Sequence, residues 1–450
     1  MEVKEQRGQW GSKFGFIMAA AGSAVGLGNL WKFPYLAGRH GGGIFLIVYL
    51  IIIVFLGYSM MLGEMSIGRH TKLNQYNAYR TINKKWGAVG FLGILTPFLI
   101  LSFYTVVGGW VMKYLWEYIA AGSIANPGSY FGEYIATVGG PIFWNILFLI
   151  LTLFIVIGGV SGGIERASVI LMPALLFFLV ILAIRSVTLP GAGEGIAFYL
   201  TPDFSQLNME TWVAAMGQAF FSLSMGMGIM VTYGSYLKGD EDLSQNGVII
   251  PVIDTMVAIL AGFVIIPATI SFGFDVGQGP GLLFGTLPAI FNQMPLGRLF
   301  AILFFLLVLF AALTSSISLL EVPVSWTNDN FGWSRKKSVV FWAILIGAIG
   351  MTASLSMGPI LGDFKITIFS ADGHNFFDFL DYFTSNFMLP LGGFLLCMFI
   401  TFAWGFDNAI AEIQKGSKSN FRAAKFWKFS IMILVPIMLI VVFLSQLGIL

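Results

Sequence analysis

Two glycine- and serine-rich strings interrupt long apolar stretches of this sequence. The first runs from Ala20 to Asn29 and reads AAGSAVGLGN, and the second runs from Ser222 to Gly228 and reads SLSMGMG. Glycine destabilises a helix interior by about 1 kcal/mol relative to alanine, and backbone groups in hydrocarbon must find partners. Freed carbonyl oxygens can bind a cation, and the N–H groups that start a half-helix can bind an anionic group. The strings therefore indicate binding sites, with close packing of small residues between helices as the open alternative.

Three carboxylates also lie inside apolar stretches, at Glu64, Asp254 and Glu321. A charged side chain within a bilayer is expensive unless it is paired or hydrogen-bonded. We interpret Glu64 and Glu321 as structural groups that bind cations or backbone N–H groups freed by the strings. Asp254 is interpreted as a functional ligand, because a passive carboxylate in the middle of an apolar helix is disfavoured.

The composition predicts that these residues are held by membrane-spanning helices. Of the 450 residues, 57% are hydrophobic and 10% are charged, whereas soluble domains have about 45–50% and 25%. The apolar content is sufficient for about ten to twelve spans of about 20 residues. A net charge of +2 without a long basic tract gives no support for nucleic-acid binding. One cysteine excludes an intrachain disulfide, and three histidines without paired metal ligands offer no reactive constellation of an enzyme.

The apolar runs predict an all-α polytopic membrane protein, with residues 1–450 forming one domain. Eleven spans are expected, numbered here as span 1 to span 11: 12–36, 41–66, 87–120, 141–158, 165–187, 211–237, 247–272, 297–327, 338–354, 376–404 and 425–449. The two strings fall in spans 1 and 6, five helices apart. This placement matches the inverted repeats of secondary transporters, so we expect a first five-helix repeat at 12–187, a second at 211–404 and an additional helix at 425–449.

The loop charges predict an orientation. If the N-terminus is cytoplasmic, 18 of the 24 Lys and Arg residues lie on cytoplasmic segments, which is the usual bias of membrane proteins. An odd number of spans then makes the C-terminus extracytoplasmic. We expect a multi-pass protein of the plasma membrane.

Several strings together resemble a known family. They are GS at 11–12, GSAVGLGNLWKFPY at 22–35, GGGIF at 41–45, GIER at 163–166, QAFFSLS at 218–224 and LTSSI at 313–317. From about Gly11 to the last span, the sequence is similar to the neurotransmitter:sodium symporters, and especially to their bacterial eleven-helix amino-acid transporters. The resemblance implies a LeuT-like fold of two inverted five-helix repeats with broken helices 1 and 6. The family's usual twelfth helix is missing, which leaves a homodimer open.

The resemblance also implies two sodium sites. Site 1 would use the Ala24 carbonyl, Asn29, Ser222, Asp254 and the substrate's carboxylate. Site 2 would use the carbonyls of Gly22, Val25 and Ala311 and the hydroxyls of Thr314 and Ser315. A sodium ion stripped of water needs about five or six oxygen ligands, which such groups can supply. Alternatively, the hydroxyls of site 2 bond only to the preceding helical turn.

Asp254 departs from the pattern of the family, most of which resembles this stretch with Asn at that position. Chloride-dependent members have Ser where this chain has Ala258, and they bind chloride beside a tyrosine and a glutamine that resemble Tyr49 and Gln218. We expect the fixed negative charge of Asp254 to balance the sodium, so that chloride is not required. The carboxylate could also bind a proton in the return step.

A substrate site is implied by the same resemblance. Its residues would be Ala24, Leu27, Gly28, Ile100, Tyr104, Phe221, Ser222, Ser224, Met227, Ser315 and Leu319. Tyr104 resembles the tyrosine that binds the substrate's carboxylate, together with N–H groups near Leu27 and Gly28. No basic residue faces this set, which favours a hydrophobic L-amino acid. Methionine can adapt to large ligands, so Met227 favours aromatic substrates, although each apolar residue alone could be ordinary core.

Two charged pairs resemble gates. Lys32 and Asp381 resemble the external pair, although the family usually has Arg in place of Lys, and lysine cannot form the same bidentate contact. Arg7 and Asp329, with Trp10 nearby, resemble the cytoplasmic latch. Each charge taken alone could be a solvated loop residue.

Span 5 contains a candidate hinge for the inward release path. Gly163 and Pro173 bracket nine residues at its cytoplasmic end. Proline removes a helical hydrogen bond and glycine eases unwinding. We expect this segment to unwind and admit water to sodium site 2, with a static proline kink as the alternative.

The sequence therefore predicts a Na⁺-coupled symporter that imports hydrophobic or aromatic L-amino acids by alternating access, with two sodium ions and no chloride. A proton-coupled amino-acid transporter of the same superfold is an alternative, which the paired oxygens of Thr314 and Ser315 disfavour. A non-transporting receptor or channel is a second alternative, and it would require both gates to open together.

Overall fold

The protein is described by a computed structural model, which covers residues 8–277, 279, 281–368, 373–417 and 421–446. In this part of the chain, regular structure is helical, with isolated bridges between Gly42 and Pro202 and between Ile366 and His374. Nine helices of the described part are long and apolar enough to cross a membrane, and a bent helix pair makes a tenth. The sequence prediction of a polytopic all-α protein is confirmed.

The helices follow the predicted spans with small shifts at their ends. The long ones are Gly43–Thr71, Lys84–Ala120, Gly139–Ile157, Val160–Val187, Leu243–Ser271, Gly297–Phe331, Arg335–Leu355, Phe376–Trp404 and Ala424–Gln446. Span 5 begins at Val160 rather than at 165, and span 8 continues to Phe331. Apolar runs mark only the part of a helix that hydrocarbon surrounds, so polar turns beyond it are not detected. The end of the last predicted span, 447–449, lies outside the described residues.

The helices of spans 1 and 6 are interrupted where the two strings occur. Span 1 consists of Lys13–Ala24 and Gly28–Arg39, which are bent by 51° relative to one another. Span 6 consists of Met209–Ser222 and Ile229–Ser235 with six non-helical residues between them. Ser224, Gly226 and Gly228 in this break have φ values of +53°, +79° and +71°, a region that glycine adopts without strain.

Shorter helices connect the long ones. They are Gln75–Ile82, Pro127–Ile135, Ala192–Leu200, Leu287–Gln293 and Phe406–Gln414. The apolar runs did not predict them, because each is seven to nine residues long and too short to cross hydrocarbon.

Burial separates central from peripheral spans. In span 8, 72% of the most apolar window is buried, and in span 3 the value is 67%, whereas it is 33% in spans 4, 5 and 11. Peripheral helices expose large apolar side chains, such as Phe154, Phe177 and Ile437, as expected of lipid-facing surfaces. The first half of span 1 packs against spans 5, 7 and 8, so its break lies in the centre of the molecule.

Candidate functional site

A cavity lies between the breaks of spans 1 and 6. Its lining comprises Ser23, Ala24, Gly26, Leu27, Gly28, Ile100, Tyr104, Phe221, Ser222, Ser224, Met227, Ser315 and Leu319. All eleven residues that the sequence placed at a substrate site are in this set. The free space is about 30 Å³, which is room for one or two water molecules.

The backbone around the cavity explains its shape. An added Cβ atom at Gly26 would lie 2.6 Å from Ser315 Oγ and 3.3 Å from Tyr104 Oη, and one at Gly28 would lie 2.8 Å from the Phe221 ring. Glycine at these two positions therefore lets spans 3, 6 and 8 approach the break. The Tyr104 hydroxyl is buried and has no hydrogen-bond partner within the described residues, so it is available to a ligand in the cavity.

A polar cluster adjoins the cavity where spans 1, 6 and 7 meet. Asn29 Nδ2 donates to Ser222 Oγ over 3.0 Å and to Asp254 Oδ1 over 2.8 Å. Ser222 Oγ lies 2.8 Å from Asp254 Oδ2. All three side chains are buried. The side chains predicted for sodium site 1 are thus in mutual contact, and the helix that supplies Ala24 ends at that residue.

Tyr49 and Gln218 lie beside this cluster. The Tyr49 hydroxyl is 3.5 Å from Asp254 Oδ2, and Gln218 Nε2 donates to the Gly28 carbonyl over 2.9 Å. The carboxyl group of Asp254 therefore faces the Tyr49 hydroxyl.

The residues predicted for sodium site 2 form a second group between spans 1 and 8. Ser315 Oγ donates to the Val25 carbonyl over 3.2 Å. Thr314 Oγ1 donates to the Ala311 carbonyl over 3.1 Å, and an added Cβ at Gly22 would lie 3.1 Å from Thr314 Cβ. The structure brings these five residues together, although the Thr314 hydroxyl also bonds to Phe310 in the preceding turn.

The two breaks are bound to each other, and the break of span 6 is also bound to a buried acid. Ser224 Oγ donates to the Ser23 carbonyl over 3.0 Å, which joins the non-helical part of span 6 to span 1. Glu64 Oε1 accepts the Gly226 N–H over 2.8 Å. Glu321 accepts from Arg335 Nη2 over 2.6 Å. Glu64 and Glu321 thus have the backbone and cation partners that their burial requires.

At the end of the cavity that the sequence predicts to face outside, Lys32 contacts an aromatic ring instead of forming the predicted ion pair. Its ammonium lies 4.7 Å from the centre of the Phe221 ring. Within the described residues, no ion pair at contact distance joins Lys32 to Asp381, and Asp381 Oδ1 accepts from Ser385 over 3.0 Å. A lysine is a point charge without the planar fork of arginine, so it can sit over the ring that borders the cavity.

At the end of the molecule that the sequence predicts to face the cytoplasm, Trp10 is buried and bound to span 6. Its Nε1 donates to the Tyr233 carbonyl over 3.0 Å, and its ring contacts those of Phe16 and Tyr236. Asp329 Oδ2 accepts from Asn74 Nδ2 over 2.7 Å. Arg7, the residue predicted to pair with Asp329, lies outside the described residues.

The predicted hinge of span 5 is helical in this structure. Gly163 belongs to a π-helical turn, Val160–Glu165, and Pro173 lies inside the helix Arg166–Val187. An added Cβ at Gly163 would overlap the Ile155 carbonyl oxygen, so glycine is required where span 5 leaves span 4. The structure therefore presents the segment in its wound state.

Comparison with known proteins agrees with this geometry. The sequence profile of the Sodium:neurotransmitter symporter family matches residues 7–122 and 131–449. The chain belongs to this family. It is 40% identical to the uncharacterized sodium-dependent transporter YhdH of Bacillus subtilis over 449 residues, with 98% of each chain covered. The sodium- and chloride-dependent taurine transporter of Rattus norvegicus is 26% identical, over 98% of this chain and 78% of the transporter.

A solved symporter structure extends the likeness to the fold. The crystal structure of MhsT in complex with L-phenylalanine is similar to this chain with a TM-score of 0.89 and 43% identity, over 98% of this chain and all of MhsT. The expected LeuT-like fold is therefore confirmed. As a family member with many apolar helices, the protein is a multi-pass membrane protein of the sodium-dependent symporter class.

Two lining residues of the symporter cavity, Ser23 and Gly26, were missed from the sequence. Both lie in the first string, and Ser23 contributes its carbonyl to Ser224 and its hydroxyl to Ser318. The composition of the string was the available signal, but it did not distinguish which of its residues face the cavity.

Proposed function

We propose that this protein is a Na⁺-coupled symporter that imports hydrophobic or aromatic L-amino acids by alternating access. The observation that carries the proposal is one cavity between two helix breaks, with a carboxylate-containing cluster on one side and a hydroxyl–carbonyl group on the other. These groups are complementary to a zwitterionic substrate and two cations.

The two polar groups are assigned to two sodium ions. Ala24, Asn29, Ser222 and Asp254 bind the first ion with the substrate's carboxylate, and the second is held by Gly22, Val25, Ala311, Thr314 and Ser315. The hydrogen bonds now formed among these oxygens, such as that of Ser315 to the Val25 carbonyl, are replaced by bonds to the ion. Two charges that move inward at 100 mV release about 4.6 kcal/mol, which drives accumulation of the amino acid.

The cavity favours an apolar side chain. None of the thirteen lining residues is charged, and Tyr104 has a free hydroxyl for the substrate's carboxylate. The similar protein MhsT was solved with L-phenylalanine, which is a ligand of this class. Because the free space is small, a large side chain must displace flexible groups, and Met227 is the most adaptable of them.

Chloride is not required in this proposal. The Asp254 carboxylate is 3.5 Å from the Tyr49 hydroxyl and supplies the negative charge beside site 1. Ala258 offers no hydroxyl for an anion at the position where chloride-dependent members have serine.

The whole-molecule features follow the sequence predictions. We assign 12–187 and 211–404 to the two inverted repeats, and we count the two helices of span 6 as one interrupted crossing, which gives eleven. The N-terminus is placed in the cytoplasm and the C-terminus outside, in the plasma membrane. Lys32, Asp381 and Phe221 form the external gate, and Trp10, Asp329 and Arg7 form the cytoplasmic one.

Uptake into proteoliposomes tests the proposal. Labelled tryptophan, phenylalanine, leucine, lysine and glutamate are offered with an inward gradient of Na⁺, K⁺ or H⁺, and with chloride or gluconate. We expect Na⁺-driven uptake of the first three in both anions. Uptake driven by H⁺ alone would favour the proton-coupled alternative, and sodium-dependent binding without uptake would favour a receptor.

A further inference from the structure

A buried acid of span 5 binds the beginning of span 1. Glu165 Oε2 accepts the Gly11 N–H over 2.7 Å, and Glu165 Oε1 accepts the Ser12 hydroxyl over 2.8 Å. Ser12 Oγ in turn accepts the Gly15 N–H over 2.9 Å and caps the helix Lys13–Ala24. Both carboxylate oxygens of Glu165 therefore accept hydrogen bonds from a segment that lies more than 150 positions earlier in the chain.

The N-terminal segment and the beginning of span 5 fit closely, because the N-terminal segment has glycine at each contact. An added Cβ at Gly8 would lie 2.7 Å from Val160 Cγ2, one at Gly11 would lie 3.2 Å from Glu165 Oε2, and one at Gly15 would overlap the Glu165 carboxylate. A side chain at any of these positions would push the segments apart. Glu165 is only 8% exposed, so its charge depends on these donors for solvation.

The same N-terminal segment is bound on its opposite side to span 6. The Trp10 N–H donates to the Tyr236 carbonyl over 3.4 Å, and its indole donates to the Tyr233 carbonyl. Residues 10–12 are thus held between the cytoplasmic half of span 6 and the first turn of span 5. Glu165 therefore binds span 5 to the same segment that is bound to span 6.

Glu165 occupies the turn from which unwinding of span 5 would begin. It ends the π-helical turn Val160–Glu165, two residues after Gly163 and eight residues before Pro173. We infer that Glu165 is a positioning residue that couples the two movements of inward opening. When span 5 unwinds, the carboxylate is withdrawn from Gly11 and Ser12, and the first half of span 1 is released at the same time.

The coupling is reciprocal, because the N-terminal segment and the wound turn of span 5 stabilise each other in the closed state. Loosening the N-terminal segment leaves a buried carboxylate without donors, which destabilises the wound turn. The inference rests on the proposed alternating access, but the contact it concerns can be tested without measuring transport.

The test measures the exposure of Met172. This buried side chain lies on span 5, and an added Cβ at Gly22 would be 3.1 Å from its Cγ and 3.1 Å from Thr314 Cβ, so it borders the proposed sodium site 2. A Met172→Cys variant in a Cys397→Ala background gives one reporter thiol. Its reaction with a membrane-impermeant thiosulfonate is followed in inside-out vesicles with Na⁺ present.

Three variants break the contact from different sides. Glu165→Gln keeps the shape but places an amide N–H opposite a donor, Ser12→Ala removes the hydroxyl, and Gly15→Ala displaces the carboxylate. Asp240→Asn, an exposed carboxylate on a neighbouring loop, is the matched control. One hydrogen bond to a charged group is worth about tenfold in an equilibrium, so we expect the labelling rate to rise about tenfold in all three variants and to stay unchanged in the control.

Unchanged labelling in Glu165→Gln would overturn the inference. A rise in Glu165→Gln alone, with Ser12→Ala and Gly15→Ala equal to the parent, would assign the effect to span 5 by itself and would also contradict the coupling. If Glu165→Gln does not fold, Ser12→Ala and Gly15→Ala decide in the same way. Absence of Na⁺-driven uptake by the parent protein would overturn the proposed function. The comparison of labelling rates between the variants and the parent would remain valid.

Discussion

At the scale of single residues, Asp254 carries the most specific expectation. Its carboxylate accepts hydrogen bonds from Asn29 and Ser222, both proposed ligands of the same sodium ion. Asp254→Asn keeps the shape and removes the charge, so the concentration of Na⁺ for half-maximal uptake should rise by about tenfold or more. The alternative outcome is that chloride replaces the lost charge and uptake by the variant becomes sensitive to chloride.

Ion substitution in proteoliposomes checks this prediction, with Glu210→Gln, an exposed acid, as the control. A parent protein that requires chloride would remove the assigned role of Asp254. Equal Na⁺ dependence of variant and parent would place the sodium ion elsewhere.

Met227 is expected to set the size of the substrate. Met227→Phe replaces a flexible side chain by a rigid ring in a cavity with little free space, so the ratio of tryptophan to leucine uptake should fall. Met227→Leu, which retains a similar volume, should alter the ratio less. Competition of the two unlabelled amino acids against labelled phenylalanine measures the ratio, and an unchanged ratio in Met227→Phe would show that Met227 does not line the substrate's side chain.

Most residues of the cavity were implied by the resemblance to the symporter family, and six of those eleven residues also lie in the two glycine- and serine-rich strings. The sequence did not distinguish Ser23 and Gly26 from their neighbours, because all of them share one small-residue string and the bend decides which side each one faces. It also suggested an ion pair for Lys32, whereas the ammonium lies over Phe221. Charge type can be read from sequence, but the partner of a long flexible side chain depends on packing.

At the scale of helices, Pro173 tests whether span 5 is a gate. Pro173→Ala restores the missing backbone donor and should stiffen the segment. We expect slower release of sodium from site 2 and several-fold slower transport, with nearly normal binding of substrate from outside. Pre-steady-state currents and equilibrium binding separate the two effects, with Pro323→Ala in span 8 as a comparison. If Pro173→Ala transports at the parent's rate, or loses binding and transport equally, span 5 is not the gate. The first half of span 1 must then open the inward path alone.

Gly226 tests the break in span 6. Its φ of +79° is unfavourable for a side chain, and an added Cβ would lie 2.6 Å from the Leu389 carbonyl oxygen. Gly226→Ala should therefore lower the unfolding temperature of the detergent-solubilised protein and abolish uptake, since backbone strain of this kind is worth about 1–3 kcal/mol. Gly217→Ala is the matched control, because Gly217 is helical and has open space around it. Similar melting of both variants would contradict the strained geometry.

The long helices could be predicted from apolar runs, because each of them must be apolar over the thickness of hydrocarbon that it crosses. Their polar ends, as in Leu243–Ser271 and Gly297–Phe331, and the short connecting helices could not. Tertiary packing stabilises those segments, and no 20-residue pattern marks them. The breaks were predictable for the opposite reason, since glycine and serine contradict the surrounding helical pattern.

At the scale of the whole molecule, two sodium ions are proposed to move with each amino acid. The two proposed sites lie on opposite sides of one cavity and share span 1, so both are expected to be filled before inward opening. The number of coupled ions determines the ratio of internal to external amino acid at which the sodium gradient and the amino-acid gradient balance.

The most direct measurement is therefore the accumulation of labelled phenylalanine at equilibrium in tight proteoliposomes with the membrane potential clamped at zero. A tenfold inward Na⁺ gradient should support about 100-fold accumulation, because two ions contribute twice the free energy of one. The Thr314→Ala variant, which lacks a ligand of site 2, should not reach this value. Accumulation of about tenfold in the parent would indicate one coupled ion, and the absence of accumulation with Na⁺ would contradict sodium coupling.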